Sequence, residues 1–101
     1  MGFGSDVKAV TKTADASAVV GRTRLQGIYF TNAATGSSFT LKNGTTTSGT
    51  GLLTIYTPAS AGGADIILPN DGILFDDGIF IDVADANVTS VTLFFVGGNA
   101  A

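Results

Sequence analysis

Three features of this sequence predict a single all-β domain, an antiparallel β-sandwich or jelly-roll-like fold of about eight strands. Short apolar runs rich in Ile, Val, Leu, Phe and Thr recur at roughly the 8–12-residue spacing of sandwich strands. Turn-forming clusters separate them: Asn43-Gly44, Asn70-Asp71-Gly72, Asp76-Asp77-Gly78 and Ala84-Asp85-Ala86-Asn87. Third, no segment repeats its apolar residues at the helical period.

Met1–Ser5 is glycine-rich and has Phe3 as its only large apolar residue, which predicts a flexible arm. Asp6–Thr13 alternates weakly and carries Lys8 and Lys12, the pattern of an edge strand guarded by lysines. Residues 13–17 read as a turn. Arg22–Asn32 (RTRLQGIYFTN) is a strand with neither face cleanly polar. A β-bulge at Gly27 would turn Leu25, Ile28 and Phe30 to one side. Without it, Ile28 and Phe30 would share a contact surface with Arg22 and Arg24. Ser38–Lys42 should turn Phe39 and Leu41 inward, and Asn43-Gly44 should open a hairpin into the exposed loop Thr45–Gly51. Leu52–Thr57 is the returning strand, stopped by Pro58, and residues 59–64 are small and flexible.

Residues 65–96 are the densest β region. Ile66-Ile67-Leu68 ends at Pro69, which cannot donate to a strand ladder. Ile73-Leu74-Phe75 and Ile79–Val83 flank Asp76-Asp77-Gly78 and predict a hairpin, with Gly78 at positive φ. Val88–Val96 reads as the longest strand, with Val91, Leu93 and Phe95 on its core face. The domain should therefore run from 6 to 97 between the arm 1–5 and a tail 98–101. Phe80, Phe94 and Val96 fall on the opposite strand faces. A strand apolar on both faces is covered on both, and in so small a chain the second cover can be another protein.

Composition sharpens the functional reading. At 101 residues the chain is 45% hydrophobic and 13% charged, with no Cys, His or Trp, against about 25% charged residues in an average soluble chain. Such a surface suits a subunit of an assembly. Residues 1–50 hold Lys8, Lys12, Arg22, Arg24 and Lys42 against Asp6 and Asp15, whereas residues 51–101 hold six aspartates and no base. That asymmetry either docks one subunit on another or is neutralised within one sandwich. Five scattered bases make no nucleic-acid stripe. No apolar run reaches the roughly 20 residues that span a bilayer, and Met1–Ser5 lacks the basic start and apolar core of a secretory signal.

Catalytic and metal chemistry find little support. Without His or Cys, histidine-dependent triads and zinc sites are excluded, and no catalytic residue, cofactor or metal is expected. Asp71, Asp76, Asp77 and Asp82 offer carboxylates to a calcium ion, but without the loop frame of such sites, and Asp beside Gly is ordinary turn chemistry. Asn43-Gly44-Thr45 and Asn87-Val88-Thr89 match the glycosylation sequon, which means little without secretion.

Three stretches carry a resemblance: R-T-R-L-Q-G-I-Y-F-T at 22–31, I-Y-T-P-A-S at 55–60 and P-N-D-G-I-L-F at 69–75. From Arg22 to Gly98 the chain resembles small all-β virion structural proteins of tailed bacteriophages, notably those of marine bacteria. In that group the second stretch reads L-x-T-P-A-S, so Ile55 is a departure. The resemblance implies a capsid decoration or cement protein on the outer capsid surface, a non-enzyme binding the major capsid protein and copies of itself, with a trimer as the expected closed assembly. Arg22, Arg24, Ile28, Phe30, Phe80 and Phe94 are the expected interface residues, with the segment Met1–Lys12 as a strand donor to a neighbour. A tail, neck or head–tail joining component is the alternative, as is a receptor- or carbohydrate-binding module with Thr45–Gly51 at its tip.

Overall fold

The computed structural model describes residues 7–69 and 72–101. The arm expected at 1–5, Asp6, and Asn70 and Asp71 of the third turn lie outside these residues. Eight strands and no helix make up the described part: β1 (Lys8–Lys12), β2 (Ala16–Asn32), β3 (Ser38–Asn43), β4 (Thr50–Tyr56), β5 (Gly62–Ile67), β6 (Ile73–Phe75), β7 (Gly78–Val83) and β8 (Val88–Ala100). All pairings are antiparallel. The main path runs β1-β8-β2-β7-β3-β4, and β5 and β6 also pair with β2.

The spine is β2, 17 residues long. Along one edge it pairs with β8 from Val19 to Asn32. Along its other edge it meets β7, β6 and β5 in succession: Ala16–Val20 against β7, Thr23–Leu25 against β6, Gly27–Asn32 against β5. The expected hairpin between β6 and β7 is therefore not formed. Both run antiparallel to β2, in line with each other, and the register is the same on either side of Asp76-Asp77 (Thr23↔Phe75, Val20↔Gly78). Two apolar runs around Asp-Asp-Gly look alike whether the chain reverses or merely breaks step, and the long partner decides between them.

Gly78 does adopt positive φ, at 114°. A Cβ there would lie 2.4 Å from the Val19 carbonyl oxygen, so only glycine lets the interrupted strand rejoin β2 this closely. The Asn43-Gly44 turn holds the break. Asn43 Oδ1 accepts from the Asp77 amide at 2.8 Å, and the Gly44 amide donates to the Gly78 carbonyl at 3.1 Å.

The sheet closes on one core formed by Leu25, Ile28 and Phe30 of β2, Phe39 and Leu41 of β3, Phe75, Ile79 and Ile81 of β6 and β7, and Val91, Leu93 and Phe95 of β8. Strand β3 does not neighbour β2, and Phe30 lies in the part of β2 that pairs with β5. Yet the Phe30 and Phe39 rings meet edge-to-face with centroids 5.7 Å apart. The sheet must curl so that β3 lies across β2. The resulting two-sided enclosure is the sandwich that the strand pattern predicts.

The 98–101 tail is a second correction. Asn99 and Ala100 pair with Val20 and Val19, and the Ala101 amide donates to the Ala18 carbonyl at 3.0 Å. Lys8 Nζ and Lys12 Nζ donate to the Gly98 and Ala101 carbonyls at 2.9 and 3.3 Å. Small residues at 97–101 give no apolar signal, but the partner strand recruits their backbone. Strand β5 likewise begins at Gly62 inside the stretch expected to be flexible, and β2 begins at Ala16 inside the expected turn. Asn32, buried at the end of β2, ties the β4–β5 connection down by donating from Nδ2 to the Pro58 and Ser60 carbonyls at 3.1 and 2.8 Å.

Candidate interaction surface

The bulge in β2 separates the two faces. Leu25 pairs with Phe95 and Gly27 with Phe94, leaving Gln26 as the extra residue. One inserted residue flips the parity of every later position in the strand. Leu25 before it and Ile28 and Phe30 after it therefore all point into the core, at 0%, 0% and 4% exposure. This removes Ile28 and Phe30 from the expected interface, because they are core residues of this fold.

The opposite face of β8, β2, β5 and β6 is assembled in rows by the register. The central row is Ala9–Phe94–Gly27–Ile67, from β1 across to β5. On one side lies Val96–Arg24–Leu74 and on the other Thr92–Tyr29–Asp65. Phe94 is 38% exposed, Tyr29 42% and Ile67 85%. Gly27 has no side chain to separate its neighbours, and a Cβ there would sit 3.7 Å from Phe94 Cδ2 and 3.2 Å from the Ile66 carbonyl oxygen. The aromatic ring thus lies against bare backbone. Toward the far end the face becomes hydroxylic, where Thr31 Oγ1 hydrogen-bonds with Thr89 Oγ1 and Ser90 Oγ, each at 2.6 Å.

Arg22 and Arg24 are both exposed on this outer side of β2. Among the described residues neither has an ion-pair partner. The ion pair that is formed there joins Lys42 to Asp82 at 2.7 Å, on the β3–β7 side. Internal neutralisation therefore reaches one lysine and leaves the arginines beside an apolar row. Guanidinium groups with aromatics are the composition enriched at protein interfaces.

Phe80 is not part of this surface. Although it points away from the core cluster, it is only 8% exposed. Its strand lies inside the sheet, with Ser17 directly opposite on β2 and Lys42 on β3. Lys42 sends its ammonium to Asp82 and to the Thr47 carbonyl (2.8 Å), on the same strand pair as Phe80. The chain itself supplies the cover that was expected from another protein.

Other concave or acidic features serve the fold. A cleft of about 400 Å³ lies between the β1–β2 and β7–β8 turns and presents Asp15, Val83, Asp85 and Val88. Asp15 Oδ1 accepts from the Val83 amide at 2.8 Å, and Asp85 Oδ1 accepts from the Asn87 amide at 2.9 Å and Ser37 Oγ at 2.8 Å. The Asn87 amide and then the Ser37 hydroxyl hold the Asp85 carboxyl below its ordinary pKa. Both carboxylates are thus committed to holding turns. Among the described residues no acidic group assembles a metal site, and Asp82 of the expected cluster is bound to Lys42. No helix among them is long and apolar enough to cross a membrane.

Of the six residues expected at an interface, the structure thus leaves Arg22, Arg24 and Phe94 on one exposed face and removes three. Ile67 and Tyr29 join them. Ile67 was not legible in the sequence, because the run Ile66-Ile67-Leu68 is apolar throughout; the pairing of Ile66 with inward-facing Ile28 is what turns Ile67 out.

No known family pattern and no curated protein matches the chain. Among solved structures, the coat protein of tobacco streak virus is similar, with a TM-score of 0.40, 12% sequence identity, and 93% of this chain and 88% of that one covered. At that level the likeness does not bear on what this chain does.

Proposed function

We propose that the chain is a non-enzymatic structural subunit of a virus particle, a decoration or cement protein. In this reading it binds the assembled outer shell through the outer face of β8, β2 and β5. The observation that carries the reading is the row in which exposed Phe94 and Ile67 flank Gly27, with Tyr29 on one side and Arg24 on the other. A monomer that left this face in water would expose an apolar patch rimmed by arginines that pair with no acid among the described residues, the usual mark of a protein-binding site. The motifs shared with small phage virion proteins supply the class of particle. The partner would be the major capsid protein in its assembled state, met by an apolar centre with acidic groups opposite Arg22 and Arg24. Binding only the assembled shell stabilises that state by mass action.

The test is co-sedimentation with shells from which the protein has been stripped. Wild type should return to the shells and raise their thermal disruption temperature. Phe94→Asp and Arg24→Glu, both at exposed sites, should fold normally and fail to bind. Full binding by both variants would remove this face from the contact.

A further inference from the structure

The sheet leaves strands with a free edge, and unpaired backbone groups there form a template for another strand. Three of these edges are guarded or too short to recruit a partner. Strand β1 carries Lys8 and Lys12, β5 carries Asp65, and β6 has only three residues. Strand β4, Thr50–Tyr56, is the last strand of the path and has neither a charged residue nor a proline. A bulge at Leu52, between Leu41↔Leu53 and Lys42↔Gly51, distorts its beginning. From Leu53 onward it is regular.

Its backbone parity is set by the hydrogen bonds. The Thr57 amide donates to the Ser37 carbonyl at 2.8 Å, and the same register continues through Ile55↔Phe39 and Leu53↔Leu41. Residues 53, 55 and 57 thus turn their backbone groups to β3, and Thr54 and Tyr56 turn theirs to the side on which no other described strand lies. Tyr56 is 79% exposed and Leu52 44%.

We propose that β4 is a self-pairing edge joining two copies of this chain antiparallel about a twofold axis at Thr54. In that register the two Thr54 residues exchange backbone hydrogen bonds. Leu52 lies opposite Tyr56 of the second copy, and Leu53 opposite its Ile55. Every cross-strand pair is then apolar or Thr on Thr, and no charge is brought against the edge. Charge compatibility selects this occupant, because β1 would bring lysines and β5 an aspartate. The joined sheets would run continuously through both copies and leave the outer face of β8, β2 and β5 free. The pairing needs no shell, so it stands or falls separately from the proposed function.

Sedimentation of the full chain in solution tests it. Wild type should be a dimer that dissociates on dilution. Thr54→Pro loses the Thr40 Oγ1–Thr54 Oγ1 hydrogen bond but no pairing of the Thr54 amide with a described strand, so it should fold, be monomeric and melt at a temperature independent of protein concentration, unlike wild type. Thr54→Cys, the only thiol in the chain, should form a covalent dimer under mild oxidation, because paired Thr54 Cα atoms would lie within disulfide reach. A wild-type monomer at the highest soluble concentration would overturn the proposal. So would a folded Thr54→Pro variant that remains dimeric. Should that variant fail to fold, a Thr54→Cys chain that stays monomeric under oxidant overturns it alone.

Discussion

Phe94 and Phe95 are adjacent in β8 and have opposite fates. Phe95 is fully buried against β2 at Leu25, whereas Phe94 lies over Gly27 on the outer face with more than a third of its surface exposed. The same pair of strands thus builds a core on one side and a contact surface on the other, and the bulge at Gln26 keeps the two sets apart. What distinguishes the faces is what stands beside each aromatic. Inside, Phe95 joins a contiguous apolar cluster from four other strands. Outside, Phe94 has bare backbone, an exposed Ile67 and, in the next row, an exposed Arg24.

The comparison breaks most visibly at the core residue. Phe95→Ala should cost about 3–5 kcal/mol in denaturant unfolding, through lost burial and the cavity left behind. Phe94→Ala should cost about 1 kcal/mol. In shell binding the order should reverse, with Phe94→Ala impaired. Equal stability losses at the two sites would mean that the faces are not distinct.

Gly78→Ala comes next. Positive φ and the Val19 carbonyl at 2.4 Å leave no room for a methyl, so the loss should exceed about 1 kcal/mol in the same assay. A neutral result would show that the break between β6 and β7 does not need this close approach.

Smaller still is the Lys42–Asp82 pair. Both side chains are partly solvated, so Asp82→Asn should cost about 0.2–1 kcal/mol, reduced further by salt. Shell binding should be untouched, because the pair lies on the Phe80 side of the sheet.

The smallest effect is a pH dependence. Asp85 has a lowered folded-state pKa, first through the Asn87 amide and then through the Ser37 hydroxyl. The unfolded chain takes up this proton first as acid is added. The stabilisation is therefore complete above the ordinary aspartate range and is lost as pH falls through the folded value. In thermal melts, Asp85→Asn should flatten the acid limb of stability and leave neutral-pH shell binding unchanged.

Much of the fold was legible because it is local. Alternation placed Phe39, Leu41, Val91, Leu93 and Phe95 inward, and Asn43-Gly44 marked the β3–β4 hairpin; the mixed faces of Arg22–Asn32 left a bulge and a bulge-free contact face both open, and the register decides for the bulge. The in-line run of β5, β6 and β7 was not legible, because Asp-Asp-Gly has the same local chemistry in a hairpin and in a break. The pairing of residues 98–100 was hidden for a similar reason, since Gly, Asn and Ala pair through backbone alone. At the surface, alternation put Phe94 on the outer face, but whether Phe80 is covered depends on what the neighbouring strands bring beside it, which the pairing with β2 and β3 decides. Three of six expected interface residues stay exposed for reasons the sequence states, and three are lost to packing that only the fold decides.

Image reconstruction of particles carrying this protein tests the central claim most directly, by showing which face of the chain meets the shell. Regular density on the capsid lattice is expected, with Phe94, Ile67 and Arg24 buried at the contact. Density in which the outer face of β8, β2 and β5 points to solvent, or no lattice density at all, would contradict it.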